Sequence, residues 1–315
     1  MQTYLITGGA GFIGANLIAK LIENNRIICI DNFNDYYSPT IKENNIKKFV
    51  NNKNFKLFKE DVCNLKGLDN IFKKTTPDYI IHLAAKAGVR DTTSPHAYIN
   101  SNITGTVNIL EMAKKYNIKK IISASSSSVY GNKNGEKFTE DMKTDKPVSI
   151  YAATKIASEN LCYTYSHLFN LKIICLRFFT VYGPMQRPDM AIHKFTKCIA
   201  ENQPLTIYGD GETARDYTYI DDIIDGIIKC IDYDTNFEII NLGSGNVVKL
   251  NYLIKLLCDK MNKTAQIKYN SLPKTDVLYT ASDISKARKL LGYNPKIQIE
   301  EGIEKFVNWF NNEKI

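Results

Sequence analysis

The stretch from Tyr4 to Gly14, with the sequence YLITGGAGFIG, constrains the fold of this chain more than any other. Its apolar start predicts a short buried strand, and the apolar periodicity after Gly14 predicts a helix. Between them, Gly8, Gly11 and Gly14 have the spacing G-x-x-G-x-x-G. Glycine lets the backbone turn tightly and approach a pyrophosphate, which then lies at the helix N-terminus. This order of strand, glycine loop and helix predicts a dinucleotide-binding loop rather than a plain turn.

A second predicted strand, Arg26 to Ile30, ends at Asp31, which comes 23 positions after Gly8. An acid at about this distance accepts a hydrogen bond from the ribose 2′-hydroxyl in dinucleotide-binding folds. The carboxylate of Asp31 would repel a 2′-phosphate, so NAD is favoured over NADP.

Short apolar strands at 55–58, 79–83, 120–126 and 171–178 alternate with helical segments. This alternation predicts an α/β fold, a Rossmann-type doubly wound parallel sheet followed by a smaller mixed α/β part. We expect an NAD-binding domain over residues 1–175 and a second domain over 176–315. Segments around 176–182 and 216–242 are expected to return to the first domain.

The composition excludes several classes of protein. The formal net charge of +8 comes from scattered lysines rather than a basic block, so no nucleic-acid partner is expected. The seven cysteines form no C-x-x-C pair, which favours reduced thiols in the cytoplasm over disulfides or a metal site. No run of 18 apolar residues predicts a membrane span.

Other strand ends carry further candidate residues. Asp61 and Val62 follow the third strand and could contact adenine, although Asp61 could instead cap the next helix. After the fourth strand, the small residues Ala84 and Ala85 would let a cofactor lie close. His82 lies inside the apolar run and is interpreted as a core histidine.

Two cations, Lys86 and Arg90, follow the same strand at the sheet edge where ligands of open α/β sheets bind. Arg90 could contact a substrate phosphate or carboxylate, or form a surface salt bridge. The fifth strand ends in four hydroxyls, Ser125 to Ser128. Such a cluster at the end of a core strand indicates a polar site, the alternative being a serine-rich turn.

Tyr151 and Lys155 begin the next helix and lie four residues apart, so that the phenol and the ammonium share a helix face. A phenol has a pKa of about 10, so action as a base near pH 7 requires lowering that pKa by roughly 3 units. A lysine ammonium and a positive nicotinamide ring can provide that field in a dry site.

Taken together, these motifs resemble the extended short-chain dehydrogenase/reductase family, and within it the nucleotide-sugar 4-epimerases, from residue 3 nearly to the end. The matching segments are Thr7 to Gly14, Asp31-Asn32, Asp61, Leu83 to Ala85, Ser125-Ser126, Tyr151 with Lys155, Arg177 to Phe179, Tyr182 to Pro184 and Arg215 to Tyr217. The resemblance implies NAD as cofactor, a UDP-sugar as substrate and no metal. The NAD-binding residues it implies are Gly8, Gly11, Phe12, Ile13, Gly14, Asp31, Asn32, Asp61, Val62, Leu83, Ala84, Ala85, Tyr151, Lys155 and Phe178.

The same resemblance implies the catalytic roles. Tyr151 is the base and acid on the sugar 4-hydroxyl, Lys155 binds the nicotinamide ribose and lowers the phenol pKa, and Ser126 hydrogen-bonds O4. Uridine and diphosphate contacts fall to Thr180, Tyr208, Arg215 and Asp276. Related enzymes often have a second diphosphate arginine where this chain has Pro273, with Lys274 beside it. Lys86, Arg90, Ser127, Ser128 and Arg187 complete the expected substrate set.

The implied reaction removes hydride from C4 to NAD, lets the 4-keto sugar turn over in the site, and returns the hydride to its other face. Related dehydratases and decarboxylases carry carboxylates at the serine strand end, whereas this chain has Ser127 and Ser128. A non-catalytic NAD-binding protein would typically lack Tyr151 or Lys155. Both comparisons favour epimerisation.

The preferred substrate is less constrained. The serines and Arg187 could bind the C6 carboxylate of UDP-glucuronate, unless Arg187 pairs with Asp189 instead. The segment Tyr208 to Arg215 also occurs in UDP-glucose and UDP-N-acetylglucosamine epimerases, and Thr280 lies where related enzymes make room for an N-acetyl group. We expect UDP-glucuronate. Helices at 100–116 and 151–168 form the dimer interface in similar enzymes, so a homodimer is expected.

Overall fold

A computed structural model describes residues 1–133 and 135–313 of the chain. The strands of this part, in chain order, are β1 Thr3–Thr7, β2 Arg26–Asp31, β3 Phe55–Lys59, β4 Tyr79–His82, β5 Lys120–Ser126, β6 Ile173–Phe178, β7 Thr180–Tyr182, β8 Leu205–Tyr208, β9 Ala214–Arg215, β10 Tyr217–Tyr219, β11 Phe237–Leu242, β12 Val248–Lys249 and β13 Ile267–Asn270.

The α-helices are α1 Phe12–Leu21, α2 Pro39–Ile46, α3 Leu65–Thr75, α4 Pro95–Tyr98, α5 Gly105–Lys115, α6 Ile150–Phe169, α7 Ala191–Ala200, α8 Ile220–Asp232, α9 Leu250–Met261, α10 Ser285–Leu291 and α11 Ile299–Asn312. A π-helical segment, Ile99–Thr104, joins α4 to α5, and 3₁₀ turns lie at Lys47–Phe49 and Ser127–Tyr130.

Seven strands form one parallel sheet in the order β11-β6-β5-β4-β1-β2-β3. The predicted Rossmann-type doubly wound sheet is therefore confirmed. The strand order reverses between β1 and β4, and ligands of such sheets bind at this point, outside the carboxyl ends of the strands. The binding crevice is thus expected beyond Thr7 and His82, the last residues of β1 and β4.

Both faces of the sheet are buried, which explains why its strands read as continuous apolar runs. Leu5 of β1 belongs to a core cluster with Phe72 of α3. Its neighbour Ile6 belongs to a second cluster with Leu17 of α1. Helices therefore cover both sides, and only the strand ends are left to bind a ligand.

The remaining strands form three two-stranded sheets, β10-β7, β12-β9 and β13-β8. The predicted boundary at residue 175 falls inside β6, and β11 returns to the main sheet beside β6. The division of the chain into two domains stays a prediction.

The predicted strands lie within two residues of those observed, and the predicted helix at 100–116 begins with the π-helical segment and continues as α5. The final helix, Ile299–Asn312, was not predicted; it packs Ile303 and Phe306 into the core. Among the helices of residues 1–133 and 135–313, none is both long and apolar enough to cross a membrane.

Candidate active site

A cavity of about 770 Å³ opens at the carboxyl ends of the sheet strands. All of the residues predicted to bind NAD line this cavity, from Gly8 of the glycine loop to Phe178 at the end of β6. Of the predicted substrate residues, those that line it are Lys86, Ser126, Ser127, Ser128, Tyr151, Thr180 and Arg187. The cavity therefore brings together the residues predicted to bind NAD and those predicted substrate residues that include Ser126 and Tyr151.

The glycine loop has no room for side chains. Gly8 has a φ of +66°, and a Cβ there would lie 2.8 Å from the backbone nitrogen of Ala84. A Cβ on Gly14 would lie 2.5 Å from the carbonyl oxygen of Gly8. Gly11 precedes α1, whose N-terminus has no side-chain cap. Free N–H groups at a helix N-terminus beside a bare backbone fit a pyrophosphate, so the loop fits a dinucleotide.

Asp31 lies at the end of β2 and is almost fully buried. Its carboxylate accepts hydrogen bonds from the backbone N–H groups of Ala10, at 3.2 Å, and Phe33, at 2.9 Å. The ammonium of Lys42 lies 3.6 Å away and partly offsets the negative charge. Lys42 was not predicted as a site residue, and it also lines the cavity.

Asp61 accepts hydrogen bonds from the side chain of Asn32 and the backbone N–H of Cys63, both at 2.8 Å. Burial raises the pKa of Asp61, but these hydrogen bonds outweigh it and the net pKa is lowered. The N-cap of α3 is Asn64, which accepts from the N–H of Gly67. The helix-cap interpretation of Asp61 is therefore wrong, and its carboxylate faces the cavity.

The predicted catalytic residues converge where β5 meets α6. The Lys155 ammonium is buried and donates a hydrogen bond to the carbonyl of Ala124 at 2.7 Å. It lies 5.9 Å from the centre of the Tyr151 ring. The Ser126 hydroxyl donates to the Ser128 hydroxyl at 3.1 Å. A phenol, an ammonium and two hydroxyls thus face one end of the cavity.

The pKa values of this group follow from its burial. Burial raises the pKa of the Tyr151 phenol, and Ser126 and Arg187 lower it by smaller amounts. Burial also lowers the pKa of the Lys155 ammonium to about 8. The expected lowering of the phenol pKa by Lys155 is therefore not seen among the protein groups alone. A further positive charge beside the phenol would lower its pKa.

His82 lies beneath the site, as predicted for a core residue. Its ring nitrogens lie 2.8 Å from the Thr7 hydroxyl and 3.1 Å from the Thr106 hydroxyl. Burial, with the nearby charge of Lys155, lowers its pKa to about 3, so that the ring is neutral.

Arg187 enters the cavity beside Tyr151, but two of its nitrogens are paired. Nε and Nη2 donate to the two carboxylate oxygens of Asp189 at 3.0 and 2.9 Å. The Tyr36 hydroxyl donates to the same carboxylate at 3.3 Å. The ion pair considered from the sequence is thus present, in the wall of the cavity. Tyr36 was missed because the polar, aromatic segment after Asp31 has no periodic pattern.

The other predicted substrate residues form a second group outside the cavity lining. Arg90 makes a bidentate ion pair with Asp276, with distances of 3.0 and 2.5 Å. Its guanidinium lies 4.4 Å from the centre of the Tyr208 ring. Arg215 donates to the carbonyls of Ala214 and Val277, next to Asp276. Gly88 and Val89, which precede Arg90 in the chain, line the cavity.

Lys86 lies between the two groups. Its ammonium pairs with Asp91 at 2.9 Å and lies over the rings of Tyr36 and Tyr98. Among residues 1–133 and 135–313 there is no group of three or more His, Cys, Asp or Glu side chains that could hold a metal ion.

Comparison with known proteins agrees with this geometry. A family model described as GDP-mannose 4,6 dehydratase, which represents extended short-chain dehydrogenases/reductases, matches residues 5–306. The chain belongs to this family. It is 46% identical to the UDP-glucuronate 4-epimerase of Thermodesulfobacterium geofontis, over 98% of this chain and 96% of that protein.

Solved structures of the family superpose closely. UDP-glucuronic acid 4-epimerase from Bacillus cereus, in complex with UDP-glucuronic acid and NAD, matches with a TM-score of 0.93 at 37% identity, covering 98% of this chain and 99% of that one. UDP-glucose 4-epimerase from Thermotoga maritima, with UDP-glucose, matches with a TM-score of 0.89 at 31% identity, with the same coverage of both chains.

Replacement of Gly8 by alanine is expected to abolish dinucleotide binding, because the added methyl group collides with Ala84 inside the loop. Gly292 is a matched control, since its φ of +61° is similar but nothing lies within 4 Å of an added Cβ. Both variants should lose about 1–2 kcal/mol of stability from the left-handed conformation. Calorimetric titration with NAD should show binding to Gly292→Ala and none to Gly8→Ala. Equal affinity in the two variants would contradict the assigned role of the loop.

Proposed function

We propose that this protein is an NAD-dependent 4-epimerase of UDP-sugars, which converts UDP-glucuronate to UDP-galacturonate through a 4-keto sugar. The observation that carries the proposal is the convergence of Ser126, Tyr151 and Lys155 on the cavity beside a dinucleotide-binding glycine loop. The similarity to enzymes named for this reaction supports it.

The residues around the cavity fit NAD. The N-terminus of α1 would bind the pyrophosphate, Asp31 the adenosine ribose, and Asp61 with Val62 the adenine. Leu83 to Ala85 and Phe178 would line the nicotinamide half. When bound, NAD accepts a hydride from the sugar and returns it, and its oxidised ring carries a positive charge.

Tyr151 takes the proton of the 4-hydroxyl and later gives it back. Ser126 would hydrogen-bond the same oxygen, and Lys155 would hydrogen-bond the nicotinamide ribose. Because burial raises the phenol pKa and Lys155 lies nearly 6 Å from the ring, we infer that the phenol becomes a base only with the positive cofactor beside it. Tyr151 would then act as a base only in the enzyme that has NAD bound.

For the uronate, the C6 carboxylate would be bound by Ser127, Ser128 and Arg187. Arg187 has its Nε and Nη2 on Asp189, which fixes the guanidinium plane in the cavity wall. A planar guanidinium held in this way presents its remaining N–H groups in one direction, which suits a carboxylate. The preference for a uronate over a neutral sugar depends on this arginine.

The second group would bind the UDP moiety. Tyr208 and Asp276 are candidates for uridine and its ribose, and Thr180, Arg215, Lys86 and Arg90 for the diphosphate and its approach. Pro273 stands where related enzymes often have an arginine, and Arg90, which is paired with Asp276, would provide a second guanidinium at this end. Asp276 would then exchange Arg90 for ribose hydroxyls when the nucleotide binds.

UDP-glucose and UDP-N-acetylglucosamine remain alternative substrates, and similarity to the Thermotoga maritima enzyme supports the first of them. Dehydration or decarboxylation is disfavoured, because Ser127 and Ser128 offer no carboxylate at the strand end.

We also propose a homodimer formed through α5 and α6, with the division at about residue 175 separating an NAD-binding from a UDP-sugar-binding domain. The apolar side chains of Tyr163 and Leu168 are more than half exposed on α6, which supports burial against a second copy. Sedimentation velocity should give twice the 35.8 kDa of one chain; a monomer at micromolar concentration would contradict it. The seven unpaired cysteines support a reducing compartment such as the cytoplasm.

Tyr151→Phe tests the reaction. Loss of the phenolic hydroxyl removes the proposed base for the 4-hydroxyl proton, so conversion of UDP-glucuronate should fall by at least about a thousandfold while NAD remains bound. NMR would follow the galacto and gluco products, and calorimetry would follow NAD. Tyr163→Phe is the matched control, because Tyr163 lies on the same helix but does not line the cavity, and it should retain wild-type turnover. Retained epimerisation in Tyr151→Phe would overturn the assigned base.

Arg187→Ala tests the carboxylate contact. Charge-assisted hydrogen bonds contribute about 1.5–3 kcal/mol, so the dissociation constant for UDP-glucuronate should rise roughly 10- to 100-fold. The dissociation constant for UDP-glucose, which has no carboxylate, should change by less than about threefold. Arg90→Ala is the control guanidinium, and it should weaken both nucleotides equally because it lies at the UDP end. If Arg187→Ala weakened the binding of UDP-glucuronate and UDP-glucose equally, Arg187 would have no role in the preference for a uronate.

A further inference from the structure

A buried ion pair lies directly behind the catalytic residues. Glu159 and Arg177 have side chains that are only 5% and 3% exposed. Arg177 Nε donates to one carboxylate oxygen of Glu159 at 2.9 Å, and Nη2 donates to the other at 2.8 Å. Neither residue lines the cavity. A buried ion pair is weak evidence of stability, because desolvation of the two charges can exceed their attraction, so its presence here requires another reason.

The pair connects the helix of the site to the strand of the site. Tyr151, Lys155 and Glu159 lie on successive turns of one face of α6. Opposite them are the last three residues of β5. Lys155 donates to the carbonyl of Ala124, and the hydroxyl of Ser125 donates to Glu159 at 2.5 Å. The next strand residue is Ser126, so the two bonds fix the distance between Ser126 and Tyr151.

Arg177 extends the connection to β6 and beyond. It is the register partner of Ser125 across β5 and β6. Its Nη1 donates to the Tyr130 hydroxyl at 3.0 Å, and that hydroxyl donates to Asn241 of β11 at 2.6 Å. Three adjacent strands are therefore joined to α6 through one carboxylate.

The charge of the pair matters as much as its bonds. Glu159 is one helical turn from Lys155, and a bare carboxylate there would oppose the positive field beside the Tyr151 phenol. A bare guanidinium would add to that field. The bidentate pair does neither, because the two charges cancel.

We propose that Glu159 and Arg177 are positioning residues, which lock the face of α6 that carries Tyr151 and Lys155 onto the strand end of Ser126 without placing a net charge beside the phenol. This inference rests on the proposed epimerase function for its kinetic consequence, but its electrostatic consequence is independent of any activity.

Other titratable groups near the ion pair and near Tyr151 could also affect the titration of the phenol. Facing the pair are Lys155, the thiols of Cys162 and Cys175, the Tyr130 phenol, and Glu140, whose carbonyl accepts from Arg177 and whose carboxylate accepts from the Asn241 N–H. Facing Tyr151 are Lys155, Tyr98 and Arg187. The variants that follow leave all of these in place.

The direct test is the titration of the Tyr151 phenol, followed by NMR of protein labelled with ¹³C at the tyrosine ζ carbon, with the signal assigned from its loss in Tyr151→Phe. Glu159→Gln keeps the shape but leaves Arg177 as an uncompensated cation, since arginine does not lose its proton. The extra cation favours the phenolate, so the midpoint should fall by roughly one pH unit, as for a charge about 12 Å away at an effective dielectric constant near 20.

Two further variants separate charge from structure. The double variant Glu159→Leu with Arg177→Met removes both charges, so its phenol should titrate as in the wild type. Its kcat for UDP-glucuronate should fall roughly 10- to 100-fold at unchanged KM, because the helix face is no longer fixed. Asp222→Asn is the control: this buried carboxylate of α8 binds backbone N–H groups of Lys296 and Ile297. The Asp222→Asn variant should lower the free energy of unfolding and leave both the phenol titration and kcat unchanged.

An unshifted phenol in Glu159→Gln, or an equal shift in the double variant, would overturn the charge-balance role. Wild-type kcat in the double variant would overturn the positioning role. If Glu159→Gln does not fold, Glu159→Asp keeps the charge, shortens the side chain and should lower kcat without moving the titration. A wild-type protein that epimerises no UDP-sugar would refute the proposed function, while the titration would still decide whether the pair is balanced.

Discussion

The contact between helix α6 and the end of strand β5 is the constraint on which the site depends. It places a buried ammonium, a phenol and a serine hydroxyl at one end of the cavity. Lys155 is held by the carbonyl of Ala124, so its charge is kept away from water and close to the dinucleotide-binding half. Burial disfavours the charged form of both groups, because it raises the pKa of the Tyr151 phenol and lowers the pKa of the Lys155 ammonium. In the proposed mechanism, the positive charge of the cofactor would lower the phenol pKa, and the strength of the base would then depend on cofactor binding.

The rest of the fold prepares space for that cofactor. A parallel sheet places the carboxyl ends of its strands at one edge, and the order reversal between β1 and β4 opens a crevice there. The glycines then keep side chains out of the part of the crevice that a pyrophosphate would fill. Gly8 and Gly14 are required by contacts of under 3 Å with backbone atoms, and a Cβ on Gly11 would lie 3.1 Å from the carbonyl oxygen of Gly8. The substrate end is built differently, from cations that are paired with carboxylates on the same or neighbouring loops.

Much of the fold and the inner site could be predicted from the sequence, because the signals were local. The glycine spacing, the acid after β2 and the four-residue separation of Tyr151 from Lys155 each encode their geometry within a few residues. The pairings that complete the site could not be predicted. Lys42 beside Asp31, Arg90 with Asp276 and Glu159 with Arg177 join residues distant in the sequence, and only the packing of the sheet brings them together. The helix at the C-terminus was missed although its signal is local, since Ile299, Ile303, Phe306 and Val307 recur at helical spacing.

The most direct measurement follows one hydrogen atom. UDP-glucuronate carrying deuterium at carbon 4 would be incubated with the enzyme in ordinary water, and the UDP-galacturonate formed would be examined by NMR. If Tyr151 removes only the hydroxyl proton and the cofactor takes and returns the hydride within the site, the product retains the deuterium at carbon 4. Loss of the deuterium to solvent, or the absence of any inverted product from a folded and NAD-loaded enzyme, would contradict the proposed reaction.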